Sequence, residues 1–533
     1  MSLTVSQELI NHTTDSAFAR SRGLTQMIDR EIVVETFGLA ETCLIDLVEA
    51  ANHVGDTKTA RAIEAIIGAR KGKFSKIPSF KAFKGMLDAY VQEHLIDGWI
   101  YVERQDGKIY PELITRIAFD DGTSRRGSDN PQVAIYTAFQ GSGASSDRVA
   151  YGIQSSRHTF SPQSVVRKSV ADVLLDAGIF IETHALKQQY MESLDRYKAH
   201  IRDKFTEQFR VNGKALSFVE DNYKRRNETL ADRKAIHDLS QADYGPYVEF
   251  AETALFEDGE QDAGLLPEHP VVRLFDLKSH EFYWVHSDNL EPYRYDKSLR
   301  DKLVLPKSHR DLLDVLTSDL DAFVGDIIEG KSAGNVILCK GIAGVGKTLT
   351  AEVYAELIER PLYSIHAGNL GTTAERIDKS LQTIFSRAKR WACVLLLDEA
   401  DVFVVRRGNN IEQNAIVAEF LRTLEYFDGL MFMTTNRPDD IDEAIISRCA
   451  AIINYQAPGR DDAGSIWRVM ADQYGVELPE TLVTELLDLF PTIAPRDIKM
   501  LFRLALRVAK SQGDELTIET FRRCAMFRDV VMS

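Results

Sequence analysis

The sequence predicts an α/β module, a parallel sheet with a C-terminal helical lid, preceded by mixed α+β N-terminal domains. Three observations carry this reading. From about residue 300, apolar runs alternate with amphipathic helical stretches, the pattern of a parallel sheet flanked by helices. One such run, Asn335-Val-Ile-Leu-Cys-Lys340, leads straight into a glycine-rich loop and then a helical stretch. Residues 98–160 instead show short β-like runs (GWIYVE, VAIYTAF, RVAYGI) broken by Gly, Asp, Asn and Ser clusters.

Along the chain, the first 60 residues read helical, with apolar residues three and four apart from Glu31 to Val48. Residues 61–85 interleave Arg61, Arg70, Lys71, Lys73, Lys76, Lys81 and Lys84 with Phe74, Phe80 and Phe83. That stretch either neutralises phosphates and stacks bases or, the commoner arrangement, buries its Phe residues and solvates its Lys residues. Asp120-Asp121-Gly122 is a hairpin signal. Residues 163–236 read as charged helix with a break at Asn212-Gly213. No Lys or Arg occurs between Lys234 and Arg273, an interval rich in Glu and Asp that reads as an acidic linker. The expected divisions are therefore an α+β domain over 1–160 and a charged helical segment over 161–245. An acidic linker with a short β-rich segment follows over 246–300. The α/β subdomain occupies 301–457 and the helical lid 458–533.

Composition narrows the function classes. The 533 residues are 44 % hydrophobic and 27 % charged, ordinary values for globular domains. The net charge of −16 argues against non-specific coating of DNA by the whole surface. Five scattered cysteines without a C-x-x-C fit reduced thiols and no zinc site, and His184, His200 and His237 lack metal-ligand spacing with them. The N-terminus lacks an apolar secretory core, and no run of about 18 apolar residues occurs, so a cytoplasmic protein without a membrane span is expected.

The chemistry concentrates after residue 335. Gly341-Ile-Ala-Gly-Val-Gly-Lys-Thr348 is G-x-x-x-x-G-K-[ST] between a strand and a helix. Its glycines let backbone N–H groups turn inward on phosphate oxygens, and the helix adds its positive dipole end. The nucleotide-binding residues expected are Gly341, Ile342, Ala343, Gly344, Val345, Gly346, Lys347, Thr348 and Leu349, with Lys347 on the β/γ-phosphates and Thr348 on Mg²⁺. Cys393-Val-Leu-Leu-Leu-Asp-Glu399 reads as a buried strand ending in two carboxylates. There Asp398 would hold Mg²⁺ and Glu399 would act as general base on the attacking water.

Together with Asp398-Glu-Ala-Asp401 and Thr434-Thr-Asn-Arg-Pro-Asp-Asp-Ile-Asp442, these motifs resemble the AAA+ ATPases, their AAA subgroup in particular. The resemblance covers roughly residues 300–530 and implies a P-loop AAA+ module that uses ATP and Mg²⁺. It makes Asn436 the sensor that positions the lytic water and Arg448 an arginine finger offered to a neighbouring subunit. Arg496, at the start of a lid helix, becomes the second sensor. It implies a homo-oligomeric ring, a hexamer, remodelling a macromolecular partner. Two departures stand out. Cys449-Ala-Ala-Ile-Ile follows Arg448 where a second arginine is usual, and His366-Ala-Gly-Asn-Leu-Gly-Thr-Thr373 carries no aromatic at the first pore-loop position.

The expected function is ATP-driven remodelling, with a protein partner favoured over nucleic acid. The alternatives are a nucleic-acid motor and an ATP-gated scaffold that does not thread its partner. The aromatic-free loop favours the scaffold over continuous threading. Arg406 and Arg407 read equally as pore or interface charges and as a solvated pair.

Overall fold

The structure is a computed structural model that describes residues 2–19, 21–22, 31–35, 39–74, 76–120, 130–145, 148–219, 224–238, 266–318, 335–371, 373–513, 515–528 and 530–532. Most of the acidic linker and the Asp121-Gly122 turn lie outside these residues.

The N-terminal half is organised around antiparallel sheets. Ser2–Ser6 pairs with Glu31–Glu35, so the helix read from Glu31 to Val48 is corrected: its first five residues are a strand and the helix runs Glu41–Val54. Helices Thr57–Arg70 and Phe80–His94 follow. They pack on a sheet ordered Arg148–Phe160, Gln132–Ser145, Ile109–Asp120, Trp99–Glu103, Ile179–Ile181. Phe83 is fully buried there, with Phe74 and Phe80 packed against the same core, while Arg61, Lys73, Lys76 and Lys81 are exposed. The aromatic half of the basic stretch is thus core rather than a base-stacking surface.

The expectation of a charged helical segment over 161–245 is corrected. Helix His184–His200 is present, but Gln208–Val219 and Lys224–His237 form a long antiparallel hairpin. These strands continue into Val271–Asp276 and Phe282–His286, and Phe282–His286 pairs back onto Gln208–Val219, so the sheet closes on itself. Phe209, Val211 and Ala215 keep the strand period of two, but the partner strand carries a bulge, Ala231 and Asp232 facing Asn212 alone, which shifts its alternation between buried Leu230 and Ala235. That interruption, amid dense charge, hides the period-two signal. Asn212-Gly213 is no helix break but lies inside a strand opposite that bulge, with Asn212 Oδ1 accepting from the Asp232 N–H at 2.7 Å.

A buried polar network lies where the two antiparallel sheets meet. Glu112 accepts from Arg104 at 3.0 Å, Thr137 at 2.5 Å and His158 at 2.8 Å. Burial alone would raise its carboxyl, but His158, Arg104 and Thr137 hold it down at about 2. Burial also holds His286 and His237 down at about 4 and His269 well below its usual value. These imidazoles stay neutral in the folded chain, whereas the unfolded chain protonates them below about 6.5. Stability is therefore lost as the pH falls from about 6.5 toward 4. A lower urea midpoint near pH 5 than near pH 7, read from the N-terminal half, is the expected result. An unchanged midpoint would mean that these rings do not stay neutral.

The C-terminal half is built on a parallel five-stranded sheet. Its strands are β1 (Asn335–Gly341), β2 (Leu362–His366), β3 (Val394–Asp398), β4 (Leu430–Thr435) and β5 (Ala451–Tyr455), in spatial order 2-3-4-1-5. β1, β3 and β4 are buried along almost their whole length, which is why they read as continuous apolar runs. Helices flank both faces, and helices Arg460–Gln473, Glu480–Leu489, Pro495–Gln512 and Ile518–Met526 form a separate cluster around Trp467. The antiparallel sheet of the N-terminal half joins the ATPase core directly: Ile236 and Phe275 are buried among Tyr363, Trp391 and Leu395. Among the described residues no helix is long and apolar enough to cross a membrane.

Candidate nucleotide site

Nucleotide sites of parallel α/β sheets lie at the carboxyl ends of the strands, and here β1, β3 and β4 bring their motifs to one crevice. After β1 the chain turns through Gly341, Gly344 and Gly346 at φ of +150°, +84° and +102° and enters the helix Lys347–Leu357. Two of these positions admit no side chain. A Cβ at Gly341 would stand 2.2 Å from the Tyr455 carbonyl oxygen, and one at Gly344 would stand 2.8 Å from Cβ of Arg496.

Lys347 is 6 % exposed, and its Nζ donates to the carbonyls of Gly341 (2.8 Å) and Ile342 (2.7 Å) and to Asn436 Oδ1 (2.9 Å). Burial lowers its ammonium from the usual value. Thr348 Oγ1 donates to Asp398 Oδ1 at 3.0 Å, joining the helix start to the end of β3. Thr434 on β4 donates to the same oxygen at 2.5 Å and accepts from the Glu399 N–H at 3.0 Å. Glu399 itself sits at φ +54°, a left-handed backbone uncommon for a side-chain-bearing residue, with its carboxylate exposed. Asp401 accepts from Thr435 Oγ1 at 2.5 Å and from the Asn436 N–H at 3.1 Å, fixing the backbone at Asn436.

Arg496 starts the lid helix Pro495–Gln512 and donates its backbone N–H to the Gly344 carbonyl at 3.1 Å, so the lid rests on the loop. Ile342 and Leu349 are 55 % and 47 % exposed, Ala343 is exposed and Val345 is buried. Val345 also lines a cavity of about 430 Å³ walled by Val304–Pro306, His309, Asn454–Gly459 and Asp462. The size and the mixed apolar and polar lining suit a purine nucleoside beside the phosphate loop.

The structure therefore brings Lys347, Thr348, Asp398, Glu399, Asn436 and Arg496 to one crevice and leaves Arg448 apart from it. Arg448 donates to the Ala444 carbonyl at 3.1 Å and faces Glu425 at 3.8 Å. Arg407 pairs with Asp442, with Nε to Oδ2 at 2.9 Å, in place of a free pore charge. Thr434 and the cavity walls are contributors that sequence reasoning left without a role.

A parallel sheet with a phosphate loop after β1 and paired acids after β3 defines a P-loop nucleotide-binding module. Over residues 337–457 the chain matches the model of the ATPase family associated with various cellular activities (AAA), and this segment is an AAA ATPase domain. Over 125 residues it is 33 % identical to the ATP-dependent zinc metalloprotease FtsH of Protochlamydia amoebophila, covering 21 % of this chain and 13 % of that protein. Over 175 residues it is 29 % identical to a putative 26S proteasome regulatory subunit homolog of Methanothermobacter marburgensis, covering 31 % of this chain and 46 % of that protein. The solved AAA domain of FIGL-1 aligns at 19 % identity over 45 % of this chain and 86 % of that one, with a TM-score of 0.37. The chain thus spans less than half the length of both curated relatives.

Proposed function

We propose that the protein binds Mg²⁺-ATP in this crevice and hydrolyses it, and that it works as a homo-oligomeric ring, a hexamer, remodelling a macromolecular partner. The observation that carries the reading is the Lys347–Asn436 and Thr348–Asp398 pairing across three strand ends. The donor set fits the groups. A hydroxyl and a carboxylate 3.0 Å apart are oxygen ligands of the kind Mg²⁺ takes, and a buried ammonium beside glycine N–H groups suits phosphate. When bound, the ion neutralises developing phosphate charge. Lys347 would draw the β/γ-phosphates, Glu399 would take a proton from the attacking water, and Asn436 would hold that water in line. Arg496, anchored on the loop, would report the phosphates to the lid.

Glu399→Gln tests the chemistry, because it keeps size and polarity but cannot accept a proton. ATP binding is expected to be unchanged and turnover to fall about 10²–10⁴-fold. Near-normal turnover would move the general base elsewhere.

A protein partner is favoured over nucleic acid on net charge, and the ATP-gated scaffold over a threading motor on one further observation. Leu370, the bulky residue of the loop after β2, is 2 % exposed and belongs to the ATPase core. It offers no grip on a threaded chain. ATPase assays with unfolded protein, DNA and RNA separate the readings by which class stimulates turnover.

A further inference from the structure

The two elements that bring Thr348 and Asp398 together are both held at their far ends by one strand of the N-terminal half. The helix Lys347–Leu357 carries Thr348 in its first turn and Glu356 in its last. Glu356 is 7 % exposed and accepts from Lys234 Nζ at 2.7 Å, Tyr293 OH at 2.6 Å and the Asp296 N–H at 3.0 Å. β3 carries Asp398 at its end and is entered through Trp391. Asp238, 2 % exposed, accepts from Trp391 Nε1 at 2.9 Å and Arg390 Nη2 at 2.6 Å. Lys234 and Asp238 lie at the end of the single strand Lys224–His237 and just beyond it. Between them Ile236 enters the ATPase core, where Phe275 stacks at 5.0 Å from Trp391.

Helix and strand are each about 16 Å long and stiff, so a shift at one end is felt at the other. The charges run the same way. Burial alone would lower the Lys234 ammonium, but Glu356 and Tyr293 raise it. Glu352, one turn nearer the crevice, is raised by burial and by Asp398 and lowered by Lys234.

We propose that Lys234 and Asp238 are positioning residues of the magnesium site, setting the spacing of Thr348 and Asp398 from the opposite ends of their helix and strand. The N-terminal half is then mechanically part of the nucleotide site, and whatever it binds alters affinity for Mg²⁺-nucleotide, a coupling that is reciprocal. The proposal rests on the reading of Thr348 and Asp398 as magnesium ligands.

The test titrates ATP into the full chain with and without Mg²⁺. For Lys234→Met, ATP affinity without Mg²⁺ should match wild type, while the gain conferred by Mg²⁺ should shrink about tenfold, the scale seen when supporting partners of metal ligands are removed. Glu356 keeps Tyr293 and Asp296 as donors, so the variant is expected to fold, and Lys234→Arg should restore the gain. Tyr293→Phe, which deletes a single hydroxyl, should reduce it in the same direction and serves if Lys234→Met does not fold. A folded variant with the full Mg²⁺ gain, or an equal loss with and without Mg²⁺, overturns the proposal. A wild-type chain that shows no ATP binding, or no Mg²⁺ gain, overturns the underlying site reading instead.

Discussion

Arg448→Ala is expected to lower ATP turnover about 10³–10⁵-fold while leaving each subunit's nucleotide affinity nearly intact, the signature of an arginine finger. The side chain is half-buried against its own subunit, with Ala444 and Glu425 as partners and no contact to the phosphate loop of the same chain. On our reading it acts on a neighbour. Arg448→Lys would restore little of the turnover, because a point charge lacks the bidentate fork. The discriminating measurement mixes inactive Arg448→Ala with inactive Lys347→Ala. Mixed rings contain sites that pair an intact loop with an intact finger, so activity should partly return. With subunit exchange verified by mass or fluorescence, no return would rule out action in trans.

Lys347→Ala is expected to abolish detectable ATP binding, a loss of about 100-fold or more. A hydrogen bond to a charged group contributes about 1.5–3 kcal/mol, and on the proposed reading the ammonium would face more than one phosphate oxygen. The substitution also strips the Gly341 and Ile342 carbonyls and Asn436 Oδ1 of their common donor, so the loop itself loosens. Calorimetric titration reads the affinity directly. Unchanged binding would remove Lys347, and with it the site, from the proposed mechanism.

The ATPase half was legible because its chemistry is written in contiguous segments. A loop must supply several N–H groups within a few residues, and a buried central strand such as β3 must be apolar until its tip. Lys347, Thr348 and Asp398 could thus be picked out singly, Asn436 only through the family resemblance, and the sheet brings them within hydrogen-bond reach. The cavity beside Val345 was not legible, because its walls come from residues 304–309, 454–462 and 495, whose types are unremarkable in isolation. The hairpin Gln208–Val219 with Lys224–His237 was misread for a different reason. Its inward residues Phe209, Val211, Ala215, Leu230 and Ala235 are few, and a bulge breaks the alternation of the second strand between Leu230 and Ala235. The acidic interval gave a boundary from composition alone, and composition says nothing of which side chains meet across it.

The burial of Ile236 and Phe275 against Tyr363 and Trp391 also governs how the chain can be divided. A fragment beginning where the alternating apolar runs and helices start, near residue 300, would leave the wall formed by Tyr363, Trp391 and Arg387 without its cover. Arg387 would lose the Phe275 ring it stacks on at 4.6 Å, and Arg390 and Trp391 would lose the carboxylate of Asp238. Such a fragment would present an aromatic, cationic face that invites self-association. In packing terms, the closed antiparallel sheet and the parallel sheet form one unit. A shuffled or truncated gene keeps that unit only if the cut lies upstream of Gln208, ahead of the first strand of the closed sheet.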